Sequence, residues 1–420
     1  MFRSQLSSNK QYISGPINVV RLEGSVNNIK KIIYLFMDWH QPTEYQTECH
    51  QPSKYITDYL KDNFSKLSNQ DITLDFFLEI IPSYLMKKKI SLPDIYIFDI
   101  INFFRNNFNY DSNIDKVSIS DKFSNIRFHY VDIRDYYLND IYQSFSDLSS
   151  FIDNKFNNYN LQKDDLGYIK KILIENKLKL KFFYNKFYPK KKSMERNIAV
   201  IPKKELYLYS NKEIETVTNK LINKIINKYS NKNIKVLINK LVDSDLKNYF
   251  DEIFNRTDQL ITYIDSTLEK NLFIDFNTLN IPDDDLSIFE FSNRIGYGGY
   301  LNDIREILCK LSIEIDELFR INVTLASKII DYFFLRRFLD KDYITNAIIY
   351  SGIVHSCNYI FILVKYFGFK VTDASYSKES VDKINKIIKS SSNFEYITPL
   401  FYPPKLYQCS NLSDFPKEFK

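Results

Sequence analysis

The chain has 420 residues, of which 57 are basic and 52 acidic, for a net charge of +5. This charge is too small to indicate a nucleic-acid-binding surface, so we expect no nucleic-acid partner. The 34 Phe and 32 Tyr residues supply enough apolar surface to exclude an intrinsically disordered chain, and the length accommodates one large domain or two ordinary ones.

The first third of the chain alternates between predicted strands and helices. Apolar runs predict strands over 17–23, 31–37, 73–81 and 126–133, and helical spacing predicts helices over 53–67 and 94–108. Gly24 and Asn27-Asn28 predict a turn that makes a hairpin of the first two strands. After the hairpin, this alternation is typical of a parallel sheet flanked by helices.

The middle of the chain is mainly helical by the same criterion. The predicted helices are 138–158, 161–187, 211–229, 233–270, 300–320 and 324–340, with an irregular segment over 271–300. The strand pattern then returns over 347–351 and 369–372, with a helix over 357–367 between them. Prolines interrupt the tail, which we expect to be poorly packed.

These patterns predict an α/β fold with a mainly parallel central sheet, flanked by helices, and a large, mostly helical insertion. The predicted divisions are a flexible lead-in over 1–16, a first half of the α/β domain over 17–135, a helical insertion or cap over 136–342, and a second half with the tail over 343–420.

The four cysteines, the N-terminus and the apolar runs give expectations about the environment. No two cysteines have CxxC spacing, so neither a zinc knuckle nor a redox pair is indicated, and a reducing compartment fits best. No run reaches 18 uninterrupted apolar residues, and residues 1–10 lack the apolar core of a signal peptide. We therefore expect no membrane span and a protein that is not secreted.

Ionisable residues stand at the ends of four predicted strands. Asp38 and His40 follow the second strand and Glu79 lies near the end of the third. Asp132 and Arg134 end the fourth, and His355 follows the strand over 347–351. Ligands bind outside the carboxyl ends of strands in open α/β sheets, so these residues predict one cleft.

Two kinds of chemistry suit this set of side chains. His40, Glu79 and His355 are of the types that hold a divalent transition metal such as Zn, Mn or Co. Without a metal, the same residues suit general acid and base catalysis, with Asp132 orienting a histidine. The structural alternatives are a buried salt bridge between Glu79 and Arg134, an Asp132–Arg134 pair, and histidines in ordinary loop or helix-cap positions.

Several known motifs are absent. The D-x-H form of Asp38-Trp39-His40 opens metallophosphoesterase sites, but the GD, GNH and GHxH elements of that family are missing. The serine-hydrolase elbow, the P-loop and a proper G-x-G-x-x-G are also missing, which argues against nucleotide chemistry.

The segments IIYLFMDWH, FFLEII and IIYSGIVH resemble the Tiki/TraB, ChaN and erythromycin-esterase-like superfamily. In that superfamily one strand leads into a histidine, a second carries a glutamate, and a late strand leads into a GxxH. His40, Glu79 and Gly352 with His355 match these positions, and Arg336-Arg337 occupy the place of an arginine-bearing helix. The resemblance covers roughly residues 17–135 and 324–375, and it departs from the pattern in having no glycine before His40.

The resemblance implies a metal-assisted hydrolase of ester or peptide bonds. Glu79, Asp132, His355 and Arg134 would be catalytic, Asp38 and Arg337 would bind a small-molecule or peptide substrate, and His40, Glu79 and His355 would be the metal ligands. The alternative is a catalytically inactive structural or host-interaction protein on the same fold, since the many Tyr and Phe residues suit protein interfaces. The composition and the segment RFHYVDIRD are similar to those of giant, mimivirus-like virus proteins, which implies a host-cytoplasm or virion location and a viral or host protein partner.

Overall fold

A computed structural model describes residues 11–40, 49, 51–67, 70–86, 95–111, 116–117, 120–134, 139–158, 161–188, 219–220, 222–270 and 298–419. The chain divides into two compact units by its internal contacts. The first comprises Met1–Asp135, Tyr229–Lys235 and Ile330–Lys420, and the second comprises Tyr136–Lys228 and Val236–Ile329.

All the described strands lie in the first unit, where short apolar runs end at turn residues. They are β1 Tyr12–Ser14, β2 Asn18–Val26, β3 Ile29–Asp38, β4 Ser53–Tyr55, β5 Leu74–Leu78, β6 Tyr110–Asp111, β7 Lys116–Val117, β8 Ile126–Tyr130, β9 Asn346–Gly352, β10 Lys370–Ala374 and β11 Cys409–Asn411. The main sheet has six strands in the order β10-β2-β3-β9-β5-β8. The pairings β3–β9, β9–β5 and β5–β8 are parallel, while β2 is antiparallel to both its neighbours. The protein is therefore mixed α/β with a mixed sheet.

The N-terminal strands include one that the sequence did not predict. Residues 12–14, assigned to the flexible lead-in, form β1, which pairs with β11 and β4 in a separate three-stranded sheet. The predicted hairpin is confirmed as β2 and β3, and its turn residues Asn27 and Asn28 have positive φ of 53° and 64°. Gly24, predicted in the turn, instead continues β2.

The long helices follow the predicted spacing with one main difference, and three short helices, at 82–86, 381–390 and 398–401, were not predicted. The α-helices are α1 Ile56–Leu67, α2 Pro82–Met86, α3 Ile95–Asn107, α4 Asn139–Asn158, α5 Lys163–Phe187, α6 Lys232–Leu268, α7 Gly298–Asp340, α8 Ile353–Phe367, α9 Val381–Ser390 and α10 Thr398–Phe401. The two helices predicted over 300–320 and 324–340 form the single helix α7, because no proline or glycine separates them. Residues 271–297, predicted to be irregular, lie outside the described residues, as do 211–218 and 221 of the helix predicted over 211–229. The described remainder of that helix contains a π-helical turn, Asn223–Asn227.

The second unit consists of helices in its described part. It contains α4, α5, most of α6 and the part of α7 up to residue 329. Apolar side chains such as Leu173, Phe250 and Leu311 are fully buried. Ion pairs join the helix surfaces, among them Arg256 with Glu314 at 3.1 Å.

In the first unit the main sheet has a core on each face. On one face, Phe36 and Phe76 pack in a cluster with Phe64 of α1 and Phe104 of α3. On the other, the ring of Phe77 lies 5.0 Å from that of Phe334 in the last turns of α7. The alternation of side chains along each strand produces this arrangement, which leaves the ends of the strands free for polar residues.

The C-terminal tail packs closely, contrary to the expectation from its prolines. Phe415 and Phe419 are buried, and the ring of Phe419 lies edge-on to Tyr34 of β3 at 5.0 Å. Burial of the two aromatic side chains stabilises the packed tail, and the prolines nearby do not prevent that burial.

Cysteine spacing proved a poor guide to pairing. Cys49 and Cys409 form a disulfide across a sequence separation of 360 residues, with Cα atoms 4.8 Å apart. Cys309 and Cys357 are free. The inference of a reducing compartment, drawn from the absence of CxxC spacing, is therefore not supported by the fold.

Among the described helices, none is both long enough and apolar enough to cross a membrane.

Candidate functional site

Three adjacent parallel strands bring the predicted site residues to one edge of the sheet. Asp38, the last residue of β3, pairs in register with Gly352, the last residue of β9. Glu79 follows β5 directly, and its backbone N–H donates to the carbonyl of Tyr350 in β9 at 3.1 Å. Because β9 lies between β3 and β5, the residues that follow these strands become neighbours.

The Glu79 carboxylate lies between the two histidines. Its Oε2 is 3.4 Å from Nε2 of His40, and its Oε1 is 3.3 Å from Nε2 of His355. The backbone N–H of Gly352 also donates to Oε2 at 2.8 Å. The structure thus brings together the three residues that the sequence assigned to the centre of the cleft.

Each histidine has an aspartate on its other ring nitrogen. Nδ1 of His40 lies 2.6 Å from Oδ2 of Asp38, and Nδ1 of His355 lies 2.6 Å from Oδ1 of Asp331. A carboxylate at Nδ1 fixes the orientation of an imidazole and turns Nε2 toward the centre. Asp38, predicted to bind substrate, therefore contacts His40 in this structure.

Asp331 is the member of this cluster that the sequence analysis missed. It lies in the last turns of α7, within the apolar run over 329–334. An acidic residue buried inside an apolar helix requires a partner, which was the available signal. Its partners are His355 and Asn358, whose side-chain amide donates to Oδ2 at 2.5 Å.

Asp38 is also held from a second direction. Its Oδ1 accepts hydrogen bonds from the Tyr350 hydroxyl at 3.0 Å and from the Gln408 side-chain amide at 3.2 Å. Both aspartates are buried, with 1% and 2% of their surface exposed. The hydrogen bonds and ion pairs of these two buried carboxylates restrict the orientation of the histidines.

The cluster is graded from buried to open. The exposed fraction of the side chain is 7% for Glu79, 12% for His355 and 38% for His40. Solvent and any small ligand therefore reach the centre on the side of His40. This opening distinguishes the cluster from an ion pair that only stabilises a core.

The contacts within the cluster favour opposite charges on Glu79 and His355. Burial alone would raise the pKa of Glu79, but the charge of His355 and the hydrogen bonds from both histidines hold that pKa well below its usual value. Burial alone would lower the pKa of His355, but Glu79 and Asp331 raise it well above its usual value. At neutral pH, Glu79 is ionised and His355 is an imidazolium.

Tyr359 lies one helical turn beyond His355 in α8. Its side chain is fully buried, and burial together with the nearby charges of Asp331 and Glu79 raises its pKa well above the usual value. The phenol therefore stays neutral beside the cluster.

Gly352 leaves room for His40. A Cβ atom at residue 352 would lie 3.0 Å from Cδ2 and 3.1 Å from Nε2 of the His40 ring. These distances are shorter than ordinary van der Waals contacts, so any larger residue displaces the imidazole. The close approach of the His40 ring therefore explains sterically why a glycine occupies the first position of the GxxH motif.

The other predicted residues lie outside the His–Glu–His contacts. The buried Asp132 accepts hydrogen bonds from Arg134 at 2.5–3.1 Å, so it contacts this arginine, not a histidine. Arg134, four residues beyond the end of β8, is half exposed. Arg337 is half-buried, and its charge lowers the pKa of His129, a strand residue that pairs with Asp75.

The donor types at the centre, two imidazoles and one carboxylate, are those of many catalytic zinc sites. As placed, these side chains form ion pairs. Within the described residues, no group of three or more His, Cys, Asp or Glu side chains is arranged as metal ligands.

Residues 11–420 match the family described as "Family of unknown function (DUF5847)". The chain is 33% identical to uncharacterized protein R706 of Acanthamoeba polyphaga mimivirus over 444 residues, which cover 99% of this chain and 98% of the relative. It is 32% identical to protein R161 (99% of both chains) and 33% identical to protein R160 (99% and 98%) of the same virus.

No solved structure matches the chain. The viral relatives support the giant-virus origin predicted from the composition. The chain belongs to the family of unknown function DUF5847.

Proposed function

We propose that this protein is a hydrolase that cleaves an ester or peptide bond at the His40–Glu79–His355 cluster. The observation that supports this most is the orientation of the imidazoles. Both turn Nε2 to one carboxylate while an aspartate holds Nδ1, and one of them is open to solvent. A pair that only stabilises the core has no need of a second, exposed histidine.

The roles follow from exposure and charge. His40 is accessible, and Asp38 holds Nδ1, so Nε2, once turned from Glu79 to a bound water, is the atom that takes a proton from that water as it attacks the carbonyl. The same Nε2 then returns the proton to the leaving alcohol or amine. The charged His355 stabilises the negative oxygen that develops on the scissile carbonyl. Glu79 holds both rings in position, and the half-exposed Arg134, which follows β8, is assigned to the oxyanion.

The metal-assisted form of the proposal assigns three ligands. His40, Glu79 and His355 would hold a Zn, Mn or Co ion, and the Nδ1-bound aspartates are the outer partners such ligands usually have. When bound, the ion would lower the pKa of water and polarise the carbonyl. The ion pairs of the cluster would then be exchanged for metal bonds.

The resemblance to the Tiki/TraB, ChaN and erythromycin-esterase-like superfamily also supports the proposal. The three positions carried over from that pattern, His40, Glu79 and His355, are neighbours at one sheet edge. Three positions so far apart in the sequence are expected to be neighbours only if they form one site.

The direct test is hydrolysis of p-nitrophenyl esters and short peptides by the parent, His40→Ala and Glu79→Gln. We expect kcat/KM to fall by about 10²–10⁴ in both variants. His129→Gln is the matched control, because His129 also pairs with an aspartate but lies outside the cluster. Circular dichroism checks that each variant is folded. A parent without turnover, or a His40→Ala variant as active as the parent, would contradict the proposal.

Elemental analysis tests the metal-assisted form separately. We expect about one equivalent of a transition metal in the purified parent and its loss in His40→Ala. If the parent hydrolyses esters and both proteins hold the same metal content, these residues are not the ligands and the metal-free form stands.

A further inference from the structure

A cavity of about 350 Å³ lies in the first unit, outside the residues of the His–Glu–His cluster. Its walls come from β1, from the end of β10 and from the C-terminal segment over 403–411. The lining includes the tyrosines Tyr12, Tyr376 and Tyr407 together with Pro403 and Lys405. This volume lies within the range of small-molecule sites.

The cavity is joined to the cluster by direct contacts. Gln408, between two lining residues, donates to Asp38, which in turn holds His40. On the other wall, the carbonyl of Tyr376 accepts from the side chain of Asn18 at 3.0 Å. Asn18 pairs with Met37 in the β2–β3 register, one residue before Asp38. The cavity therefore lies beside the end of β3, on the edge of the sheet that carries the cluster.

The walls combine flat apolar surface with a single positive charge. The three tyrosine rings and Pro403 offer apolar faces, and the lining contains no acidic residue. Lys405 is exposed, and its Nζ lies 5.9 Å from the ring centre of Tyr407, its cation–π partner among the described residues. Among the described residues, no carboxylate forms an ion pair with this lysine.

We propose that this cavity binds the carboxylate-bearing part of the substrate, in which a free carboxylate adjoins an aromatic or bulky apolar group. This inference rests on the proposed hydrolase function and names its substrate class. Tyrosine faces favour a planar apolar group, and the lysine favours an anion. A cationic ligand is disfavoured by Lys405, and a phosphate dianion normally requires more than one cation or a row of backbone amides.

The only tryptophan of the chain provides the measurement. Trp39 stands between Asp38 and His40, and its ring lies 5.3 Å from that of Tyr402, the neighbour of Pro403. The probes are N-acetyl-phenylalanine and its uncharged amide, titrated against the intact protein by tryptophan fluorescence and by calorimetry. We expect the acid to bind at least about tenfold more tightly than the amide, because only the acid pairs with Lys405.

The variants isolate the charge. Lys405→Met should abolish the preference for the acid, and Lys405→Arg should retain it. Lys370→Met is the matched control, since Lys370 is an exposed lysine at the opposite end of β10. Equal binding of acid and amide by the parent, or an unchanged preference in Lys405→Met, would overturn the proposal.

Failure of this inference is distinguishable from failure of the proposed function. Binding requires no turnover, so preferential binding by a protein without hydrolase activity leaves the cavity assignment intact and overturns only the reaction. Conversely, an active parent that hydrolyses neutral and anionic esters with equal kcat/KM overturns only the cavity assignment.

Discussion

At the scale of single residues, the same side chain takes opposite charge states in different surroundings. His355 lies between two carboxylates, which raise its pKa far above the ordinary value despite burial. His129 is also buried beside a carboxylate, Asp75, but the positive charges of Arg337 and Arg127 add to burial and lower its pKa to about 4. Burial is the largest influence on both histidines and lowers the pKa of each, and the neighbouring charges decide whether the net shift is upward or downward.

The depressed pKa of His129 predicts acid sensitivity of the fold. The unfolded chain takes up a proton near pH 6.5 and the folded chain only near pH 4, so stability is lost as the pH falls through that interval. The contribution of this one residue is at most about 3 kcal/mol. Urea unfolding of the parent and of His129→Gln between pH 4 and pH 7 measures it. The variant should lose less stability on acidification, and identical slopes would contradict the assignment.

Asp331 is predicted to sustain the charge of His355. In Asp331→Asn a neutral amide replaces a negative partner, so the pKa of His355 should fall toward its ordinary value. The stability that the charged His355 contributes is lost as the pH rises through its folded-state pKa, so in the variant this loss should begin at a lower pH than in the parent. Imidazole signals in an NMR pH titration report the pKa directly. The control is Asp373→Asn, which removes the ion pair between Arg21 of β2 and Asp373 of β10 and should leave the His355 signal unchanged. An unaltered His355 titration in Asp331→Asn would show that Asp331 has no such role.

The sequence indicated part of this residue-level arrangement. His40, Glu79 and His355 follow apolar strands, and strand ends of one direction share an edge, so their proximity was predictable. Asp132 was predicted to orient a histidine, but it instead accepts hydrogen bonds from Arg134, only two residues away. Asp331 lies in a helix, and sequence periodicity does not reveal which turn of a 43-residue helix meets the sheet edge.

At the scale of elements, strand existence was easier to predict than strand partnership. The hairpin of β2 and β3 is local, and its turn residues mark it. That β10 joins the outer side of β2 in an antiparallel pair depends on a contact between residues about 350 positions apart. Apolar runs carry no direction, so a mixed sheet and a parallel sheet read alike in the sequence.

At the junction of β9 and α8, we expect one substitution to lower activity with little effect on stability. Gly352→Ala should displace the His40 ring and lower kcat/KM by about tenfold to a hundredfold. Stability should change by less than about 1 kcal/mol, because φ at Gly352 is −54° and suits alanine. Gly167→Ala, an open site in α5, is the control and should not alter activity. Full activity of Gly352→Ala would show that the cluster tolerates displacement of the ring.

At the scale of the whole chain, the site depends on the return of the C-terminal segment to the first unit. Gln408 reaches Asp38 across 370 residues of sequence, and Phe419 packs against Tyr34. Nothing local in the tail marks these contacts, which explains why the prolines were taken as a sign of loose packing. Bringing residues so distant in the sequence together costs conformational entropy. The packing of Phe419 against Tyr34 and the Cys49–Cys409 disulfide offset that cost.

The disulfide between Cys49 and Cys409 is predicted to hold this returning segment beside the cluster. It spans 360 residues, and Cys409 adjoins Gln408, which donates to Asp38. Because cross-linking distant residues restricts the unfolded chain, reduction or Cys49→Ser should lower the free energy of unfolding by about 2–5 kcal/mol. The same change should weaken the Gln408–Asp38 contact and lower kcat/KM, since His40 loses one restraint on its aspartate.

Urea unfolding with and without reductant separates the disulfide from other effects. Reductant should destabilise the parent but not Cys49→Ser, and Cys309→Ser, which removes a free cysteine, should still respond like the parent. The buried Cys357, whose pKa burial raises to about 12, stays unreactive toward thiol reagents in the folded protein. A parent whose stability is the same in both conditions would show that the disulfide between Cys49 and Cys409 does not stabilise the folded state.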